Sequence, residues 1–151
     1  IRFNTNHGFN NPPGSRWFNE CLLSKFITFA RCSRTKNIEY CNMSFDKLIE
    51  KITPDTLVYA DPPYRSTLGV YNDGKRGFEG WTINHEHNLC MFLDKINERG
   101  SRFMLSYVLK VNDFYNKEIA TWAANNNYNV IDIEIPQGRY NNRKEVLITN
   151  Y

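Results

Sequence analysis

Residues Thr56 to Tyr64 read Thr-Leu-Val-Tyr-Ala-Asp-Pro-Pro-Tyr, and this stretch decides the fold. Its first five residues have the length and the β-branched and aromatic content of a strand. Pro62 and Pro63 lack the backbone N–H that a sheet ladder needs, so the strand ends at Asp61. Open α/β sheets bind their ligands at the carboxyl ends of their strands. We therefore expect a rigid, concave site at the last four residues of this stretch.

These four residues suit the activation of an amine without a metal. Asp61 can accept one hydrogen of an exocyclic NH2 group and the Pro62 carbonyl can accept the second, which leaves the nitrogen lone pair turned outward. Tyr64 can stack on the ring that carries the amine, as the recognition of an extruded base requires. Taken alone, the four letters fit a surface turn equally well.

The tetrapeptide resembles the catalytic motif of enzymes that methylate amines with S-adenosylmethionine (AdoMet), and its context resembles the Dam-like DNA adenine methyltransferases. The resemblance implies that Asp61, Pro62, Pro63 and Tyr64 are catalytic, that AdoMet is the methyl donor and that no metal is used. It also implies the reaction, which is transfer of a methyl group to the N6 amine of adenine in a specific duplex DNA sequence.

The opening from Arg2 to Arg16 is rich in Asn, Gly and Pro, which indicates a loop, and its arginines and amides suit contacts with nucleic acid. The segment is similar to the end of the target-recognition region of Dam-like enzymes. The resemblance implies that Arg2 contacts a base or the backbone and that Asn4 and Asn10 contact phosphates. Ser15 replaces an arginine that is frequent in the family, and Arg16, one place later, is a further candidate DNA contact. An Asx-rich surface loop is the alternative.

Ser44 and Phe45, which precede the tetrapeptide in the chain, are candidates for binding the cofactor. Dam-like enzymes contact the adenine of AdoMet from the positions that match Ser44 and Phe45, so the resemblance makes Ser44, Phe45 and Asp61 cofactor-binding. Many members have Asp at the position of Ser44. A helix N-cap followed by a core phenylalanine explains the pair equally well.

The segment from Arg65 to Trp81 contains four glycines and the cations Lys75 and Arg76. Glycines permit movement and cations attract phosphates, which suits a loop that becomes ordered over bound DNA. A solvated loop without contacts is the alternative. Further along, Dam-like enzymes usually have Asn at the position of Tyr107. Packing against the base pocket and a place in the core are the two alternatives for Tyr107, and we expect a core residue.

Hydrophobic periodicity predicts alternating helices and strands. A predicted helix lies between the strand that ends at residue 60 and the strand that begins at residue 102, and a crossover of this kind predicts that the two strands are parallel. The connection before residue 145 is short, which predicts that the last two strands are antiparallel. The predicted helices cover 18–32, 45–52, 82–99 and a segment with Phe114, Ile119 and Trp122. Thr82 is the predicted cap of the third helix, and Gly100 is predicted to end it. Apolar stripes at helical spacing are predicted on the first and third helices: Leu22, Leu23, Phe26, Ile27 and Ala30 on the first, and Leu89, Phe92, Leu93 and Ile96 on the third. The predicted strands cover 37–41, 56–60, 102–108, 131–135 and 145–151, and the alternation in 131–135 predicts a half-buried strand.

The predicted fold is α/β, and the resemblance implies the Rossmann-like sheet of AdoMet-dependent methyltransferases, mostly parallel with a reversed last strand. It assigns 1–17 to the end of the DNA target-recognition region and 18–151 to the C-terminal part of the catalytic domain. No Gly-x-Gly turn follows an early strand, although family members hold the methionine part of AdoMet on such a turn. We therefore expect a sheet that is incomplete at its N-terminal side and is covered there by the N-terminal part of the same enzyme.

Composition and net charge indicate the class of the protein, its location and its partners. The 151 residues are 41% hydrophobic and 23% charged, as in a single globular domain. No apolar run approaches the ~18 residues of a membrane span, so we expect no membrane partner and an intracellular protein. The resemblance implies a cytoplasmic protein of prokaryotic or phage origin. The net charge of +3 is compatible with double-stranded DNA as a partner. Four cysteines and three histidines lack the spacing of metal ligands. The resemblance makes a cognate restriction endonuclease a candidate functional partner, with no direct contact implied, and the sequence leaves open whether one exists.

Two alternatives stay open. The chain is compatible with an amine methyltransferase that acts on RNA adenine, cytosine N4 or a protein glutamine, or with a non-catalytic DNA-binding or interaction module. Glutamine enzymes usually carry Asn at the position of Asp61, and N4-cytosine enzymes often carry Ser there. The aspartate and the opening loop therefore favour adenine in DNA.

Overall fold

The computed structural model describes residues 18–65, 80–133 and 143–151, and their architecture is mixed α/β. The helices are α1 (Glu20–Thr35), a 3₁₀ helix (Phe45–Lys51), α2 (Ile83–Glu98) and α3 (Lys117–Asn125). The strands are β1 (Leu57–Ala60), β2 (Arg102–Val111), β3 (Phe114–Tyr115), β4 (Asn129–Ile133) and β5 (Arg143–Thr149).

The four longer strands form one sheet in the order β1-β2-β5-β4, and β3 pairs with the end of β2. β1 and β2 are parallel, with Val58 opposite Phe103 and Ala60 opposite Leu105. β5 lies between β2 and β4 and is antiparallel to both. The predicted parallel unit and the antiparallel final pair are thus confirmed. Because β5 alone of these four strands is reversed, β1, β2 and β4 run in one direction, although β1–β2 is the only parallel pair in the described residues.

The core lies between one face of this sheet and the helices α2 and α3. Phe103, Leu105 and Tyr107 are almost fully buried because alternate side chains of a strand share one face. From α2, Leu93 and Ile96 pack against the same core cluster and are fully buried. The predicted apolar stripe of α2 is therefore confirmed along its length.

Local signals set the ends of α2, as the sequence predicts. The Thr82 hydroxyl accepts a hydrogen bond from the backbone N–H of His85, and Nδ1 of His85 accepts one from the backbone N–H of Thr82, which completes a capping box. Gly100 follows the helix with a φ of +72°, a conformation that glycine adopts without strain.

The helix α1 forms as predicted, but its apolar stripe does not pack. The Asn19 side chain caps the helix by accepting a hydrogen bond from the backbone N–H of Leu22 at 2.9 Å. None of its residues is buried, and Phe26 is 61% exposed. The spacing of apolar residues determines a helix, whereas burial of the stripe needs a second surface, and no element in the described ranges supplies one.

The predicted strand at 37–41 is wrong, because these residues have no regular structure. Ile38 is 43% exposed and Tyr40 is 68% exposed. A short apolar run becomes a strand only where a neighbouring strand has a free edge in register. In the described part of the chain, no sheet strand pairs with this segment.

Two predictions near the carboxyl side also need correction. Phe114, predicted in a helix, lies in β3, because Asn112 has a φ of +51° and the turn that it forms pairs Val111 with Phe114. The half-buried alternation predicted for 131–135 is wrong for the described part of that range, since all five residues of β4 are exposed. β4 is an edge strand, and β5 is its neighbour in the described sheet. Ile135 lies outside the described residues.

Cys90 should be the least reactive of the four cysteines in the folded protein. It is buried on α2, whereas Cys21 and Cys41 are exposed. Burial raises the pKa of the Cys90 thiol to about 12, and only the thiolate attacks an alkylating reagent. We expect iodoacetamide at pH 8 to modify Cys21 and Cys41 quickly and Cys90 only in denaturant, as measured by peptide mass spectrometry at timed intervals. Equal rates at Cys90 and Cys41 would contradict the packing of α2.

Candidate active site

The tetrapeptide leaves the carboxyl end of β1 at a cleft of ≈ 490 Å³. Asp61, Pro62 and Pro63 line this cleft, and Phe45 lines it from the 3₁₀ helix. Asp61 is exposed, but it lies at the rim of the cleft. The strand, the prolines that end it and the 3₁₀ helix thus bring the predicted acid and the predicted aromatic residue to one concave surface.

The walls of the cleft are mainly apolar. The ring of Phe45 packs against Phe92, with ring centroids 5.3 Å apart and an interplanar angle of 63°. It also lies 6.5 Å from the ring of Trp81. An apolar cleft with a carboxylate at one edge suits a flat aromatic ligand that has polar groups on its own edge.

Asp61 and Tyr64 contact each other directly. The Tyr64 hydroxyl donates a hydrogen bond to Oδ1 of Asp61 at 2.6 Å. The pKa of Tyr64 is raised to about 12, mainly because the phenol is partly removed from water and secondly because of this hydrogen bond. The hydroxyl therefore keeps its proton at physiological pH, and one oxygen of the carboxylate is occupied by a donor from its own tetrapeptide.

The Tyr64 ring turns toward β2 and β5. Its centroid lies 5.5 Å from that of Tyr107 at an interplanar angle of 78°, so the two rings meet edge to face. The guanidinium carbon of Arg143 lies 5.8 Å from the Tyr64 centroid. The expectation that Tyr107 is a core residue is confirmed, since it is 1% exposed. The sequence also allowed Tyr107 to pack against the base pocket, and its contact with Tyr64 of the tetrapeptide is compatible with that alternative.

A buried acid adjoins this aromatic pair. Glu86 on α2 is fully buried, and its Oε1 accepts hydrogen bonds from the Tyr107 hydroxyl and from Nδ2 of Asn116, the latter at 2.7 Å. Its Oε2 lies 3.4 Å from Nε of Arg65, an ion pair without hydrogen-bond geometry. Sequence reasoning missed Glu86, although a signal exists: it occupies the position three residues before Leu89 on the buried stripe of α2.

Ser44 lies on a different cleft from the tetrapeptide. It occupies the N-cap position of the 3₁₀ helix without making a side-chain capping bond. It lines a neighbouring cleft of ≈ 520 Å³ together with Phe45, Asp46 and His85. Phe45 lines both clefts, so the structure brings together Phe45 and Asp61 but not Ser44 and Asp61.

The predicted DNA contacts lie outside the described residues: Arg2, Asn4, Asn10, Arg16, Lys75 and Arg76. Within residues 18–65, 80–133 and 143–151, no group of three or more His, Cys, Asp or Glu side chains is arranged to hold a metal ion. None of the helices in these ranges has the length and apolar character needed to cross a membrane.

The partly buried phenol of Tyr64 predicts a pH dependence. Its pKa of about 12 in the folded protein exceeds the value of 10.0 for an unperturbed tyrosine. Between these values the folded protein keeps a proton that the unfolded chain loses, so this contribution to stability is complete below pH 10 and is lost as the pH rises toward 12. We expect the free energy of unfolding, measured in urea from pH 8 to 11, to fall less steeply above pH 10 in Tyr64→Phe than in wild type. Equal slopes would contradict burial of this phenol.

Comparisons with known proteins agree with the geometry. Residues 1–141 match the model of the family described as D12 class N6 adenine-specific DNA methyltransferase. The chain is 35% identical over 160 residues to "Modification methylase StsI" of Streptococcus sanguinis and 35% identical over 154 residues to "Modification methylase LlaI" of Lactococcus lactis subsp. lactis. It is 34% identical over 158 residues to "Type II methyltransferase M.FokI" of Planomicrobium okeanokoites.

Each of these alignments covers 100% of the chain and 24% of the relative. The chain thus spans about a quarter of the length of the relatives that it matches. The resemblance inferred from the tetrapeptide and its context is confirmed. This chain belongs to the D12 class of N6 adenine-specific DNA methyltransferases.

Proposed function

We propose that this chain is part of the catalytic domain of an enzyme that transfers a methyl group from AdoMet to the N6 amine of adenine in a specific duplex DNA sequence. One observation carries the proposal: Asp61, Pro62 and Pro63 leave the carboxyl end of β1 and line one cleft with Phe45. An acceptor for an amine and an aromatic wall for a ring are thereby placed on the same surface.

The cleft has the chemistry that the adenosine part of AdoMet requires. Phe45 offers an aromatic face, Pro62 and Pro63 offer apolar walls, and Asp61 offers an acceptor at the rim. We propose that Phe45 and Asp61 hold the cofactor in this cleft and that Ser44 contacts it from the neighbouring cleft, which Phe45 also lines. When bound, AdoMet supplies a methyl group activated by a sulfonium.

The tetrapeptide then orients the amine of the target base. Asp61 and the Pro62 carbonyl accept the two hydrogens of the amine, which fixes the lone pair in one direction, and the Tyr64 ring stacks on the base. Because the Tyr64 hydroxyl already donates to Oδ1 of Asp61, the amine must replace this hydroxyl or bind the second oxygen. The carboxylate also stabilises the positive charge that develops on the nitrogen.

The remaining assignments concern DNA and the rest of the enzyme. We assign 1–17 to the target-recognition region and 18–151 to the catalytic domain, with double-stranded DNA as the partner. The cytoplasm is the proposed location, and a restriction endonuclease of the same system is proposed as a functional partner without direct contact. The proposed DNA contacts are Arg2, Asn4, Asn10, Arg16, Lys75 and Arg76.

We also propose that the sheet is the Rossmann-like sheet of AdoMet-dependent methyltransferases and that further strands of the same enzyme complete it beside β1. The strand order and the reversed β5 support the first point. In the described residues β1 pairs with β2 alone, and Leu57 and Tyr59 on β1 are 52% and 60% exposed. An unpaired apolar edge is prone to non-specific association, which a covering segment prevents.

Methyl transfer to DNA tests the proposed function. The complete protein is incubated with tritium-labelled AdoMet and with duplex DNA amplified in vitro, which carries no methyl groups. After nuclease digestion and chromatography, we expect the label in N6-methyldeoxyadenosine. Label in N4-methylcytosine, or transfer only to RNA, would replace the proposal with another amine substrate. Binding of DNA with no binding of AdoMet in calorimetry would support a non-catalytic module.

A further inference from the structure

A single buried carboxylate joins the elements around the catalytic tetrapeptide. Glu86 is fully buried, and its partners come from three places: Tyr107 on β2, Asn116 at the N-cap of α3, and Arg65 directly after the tetrapeptide. A buried charge is destabilising unless its partners compensate it, and apolar side chains often fill such a position equally well or better. Packing alone therefore does not account for an acid on the buried stripe of α2.

Two of the three partners of Glu86 are linked to Tyr64: Tyr107 contacts it, and Arg65 adjoins it in the chain. The Tyr107 ring meets the Tyr64 ring edge to face at 5.5 Å, and the Tyr107 hydroxyl is held by Glu86. Arg65 follows Tyr64 in the chain, and Glu118 holds its guanidinium at 2.8 Å in addition to Glu86. The Tyr64 side chain and the backbone that follows it are thus both anchored through one carboxylate.

We propose that Glu86 and Tyr107 are positioning residues that hold the Tyr64 ring ready to stack on the extruded adenine. The inference rests on the proposed function and deepens it. A tyrosine that is already oriented loses less conformational freedom when the base arrives, and small errors in orientation slow a reaction strongly. Tyr107, fixed by its hydroxyl, sets the position of the Tyr64 ring, and Arg65, fixed by Glu86 and Glu118, holds the backbone directly after Tyr64.

The protein contains a matched control for this arrangement. The Tyr128 hydroxyl donates to Oδ1 of Asp94 on α2 at 2.9 Å, just as the Tyr107 hydroxyl donates to Glu86 on the same helix. Burial raises the pKa of both tyrosines. The Tyr128 ring contacts Phe103 and Trp122. Unlike the Tyr107 ring, it does not contact the Tyr64 ring.

The variants Tyr107→Phe and Tyr128→Phe each remove one such hydroxyl and keep the ring. We expect Tyr107→Phe to lower kcat for DNA methylation by about tenfold, with the KM for AdoMet unchanged, because the misplaced ring affects the reacting base. We expect kcat of Tyr128→Phe to stay within about twofold of wild type, although this variant should lose about as much thermal stability as Tyr107→Phe. Glu86→Gln keeps the shape of the side chain and loses the charge that pairs with Arg65. We expect this variant to lower kcat, as Tyr107→Phe does.

Two further readouts separate positioning from general stability. With 2-aminopurine at the methylated position of an oligonucleotide duplex, we expect the rise in fluorescence on binding to be smaller for Tyr107→Phe than for wild type and Tyr128→Phe. In the Tyr64→Ala background, Tyr107→Phe should cause no further fall in kcat, because its effect passes through the missing ring.

Equal kinetic effects of the two tyrosine variants, or an additive fall in the double variant, would overturn the positioning role. These outcomes presuppose an active wild-type protein. A wild-type protein that methylates no adenine would instead contradict the proposed function, and the two failures are therefore distinguishable.

Discussion

Replacement of Asp61 by alanine is expected to lower kcat for adenine methylation by about 10³-fold, the effect typical of removing a group that stabilises charge in a transition state. The carboxylate is exposed at the end of β1 and accepts a hydrogen bond from Tyr64, so its loss should leave the core intact. Asp61→Asn keeps one oxygen acceptor but removes the negative charge, and we expect it to retain slightly more activity than alanine. Single-turnover assays with labelled AdoMet measure both variants.

Asp55 provides the matched control for this change. It is an exposed aspartate in the turn before β1, at the other end of the same strand. Asp55→Ala should keep wild-type kcat, and all three variants should bind duplex DNA with affinities within about threefold of wild type. Activity of Asp61→Ala above one tenth of the wild-type value would remove the carboxylate from the mechanism.

The second large effect is expected at Tyr64. Stacking of a base on an aromatic side chain is worth about 1–3 kcal/mol, so Tyr64→Ala should lower kcat/KM by about 5- to 150-fold. Tyr64→Phe keeps the ring and its contact with Tyr107 but removes the hydrogen bond to Asp61. The amine either replaces that hydroxyl or binds the second carboxylate oxygen, so the hydroxyl is not needed for the reaction. We therefore expect kcat/KM of Tyr64→Phe to stay within about threefold of wild type.

The test is the difference in kcat/KM between Tyr64→Ala and Tyr64→Phe. A fluorescence titration with 2-aminopurine DNA shows whether base extrusion fails in Tyr64→Ala but not in Tyr64→Phe. Tyr40 is 68% exposed, and its hydroxyl lies 2.9 Å from Oγ of Ser33, so Tyr40→Ala controls for the loss of a surface tyrosine. If phenylalanine and alanine at position 64 are equally defective, the hydroxyl rather than the ring is the important group.

Features that depend on neighbouring residues could be predicted from the sequence. The end of β1 follows from two prolines, and the start of α2 follows from a threonine whose hydroxyl reaches the next turn. The stripe of α2 was predictable because its residues recur at helical spacing. Because the prolines end β1, the sequence also predicts that Asp61, Pro62 and Pro63 lie at one edge of the sheet.

Features that depend on distant partners could not be predicted. The apolar stripe of α1 gives its helix but does not say whether anything covers it. The alternation in β4 indicates a strand, but its burial depends on what lies over the edge of the sheet. The role of Glu86 depends on Arg65, Tyr107 and Asn116, which come from separate parts of the chain and meet only in the folded core.

The place of β5 in the sheet has a consequence for synthesis on the ribosome. β4 precedes β5 in the chain, yet β5 lies between β2 and β4 and pairs with both. A nascent chain therefore exposes Val130, Ile131 and Ile133 without a pairing partner until β5 has emerged. Unpaired apolar strands tend to aggregate. Pauses in translation between β4 and β5 should accordingly increase the demand for chaperones, whereas pauses after β5 should not.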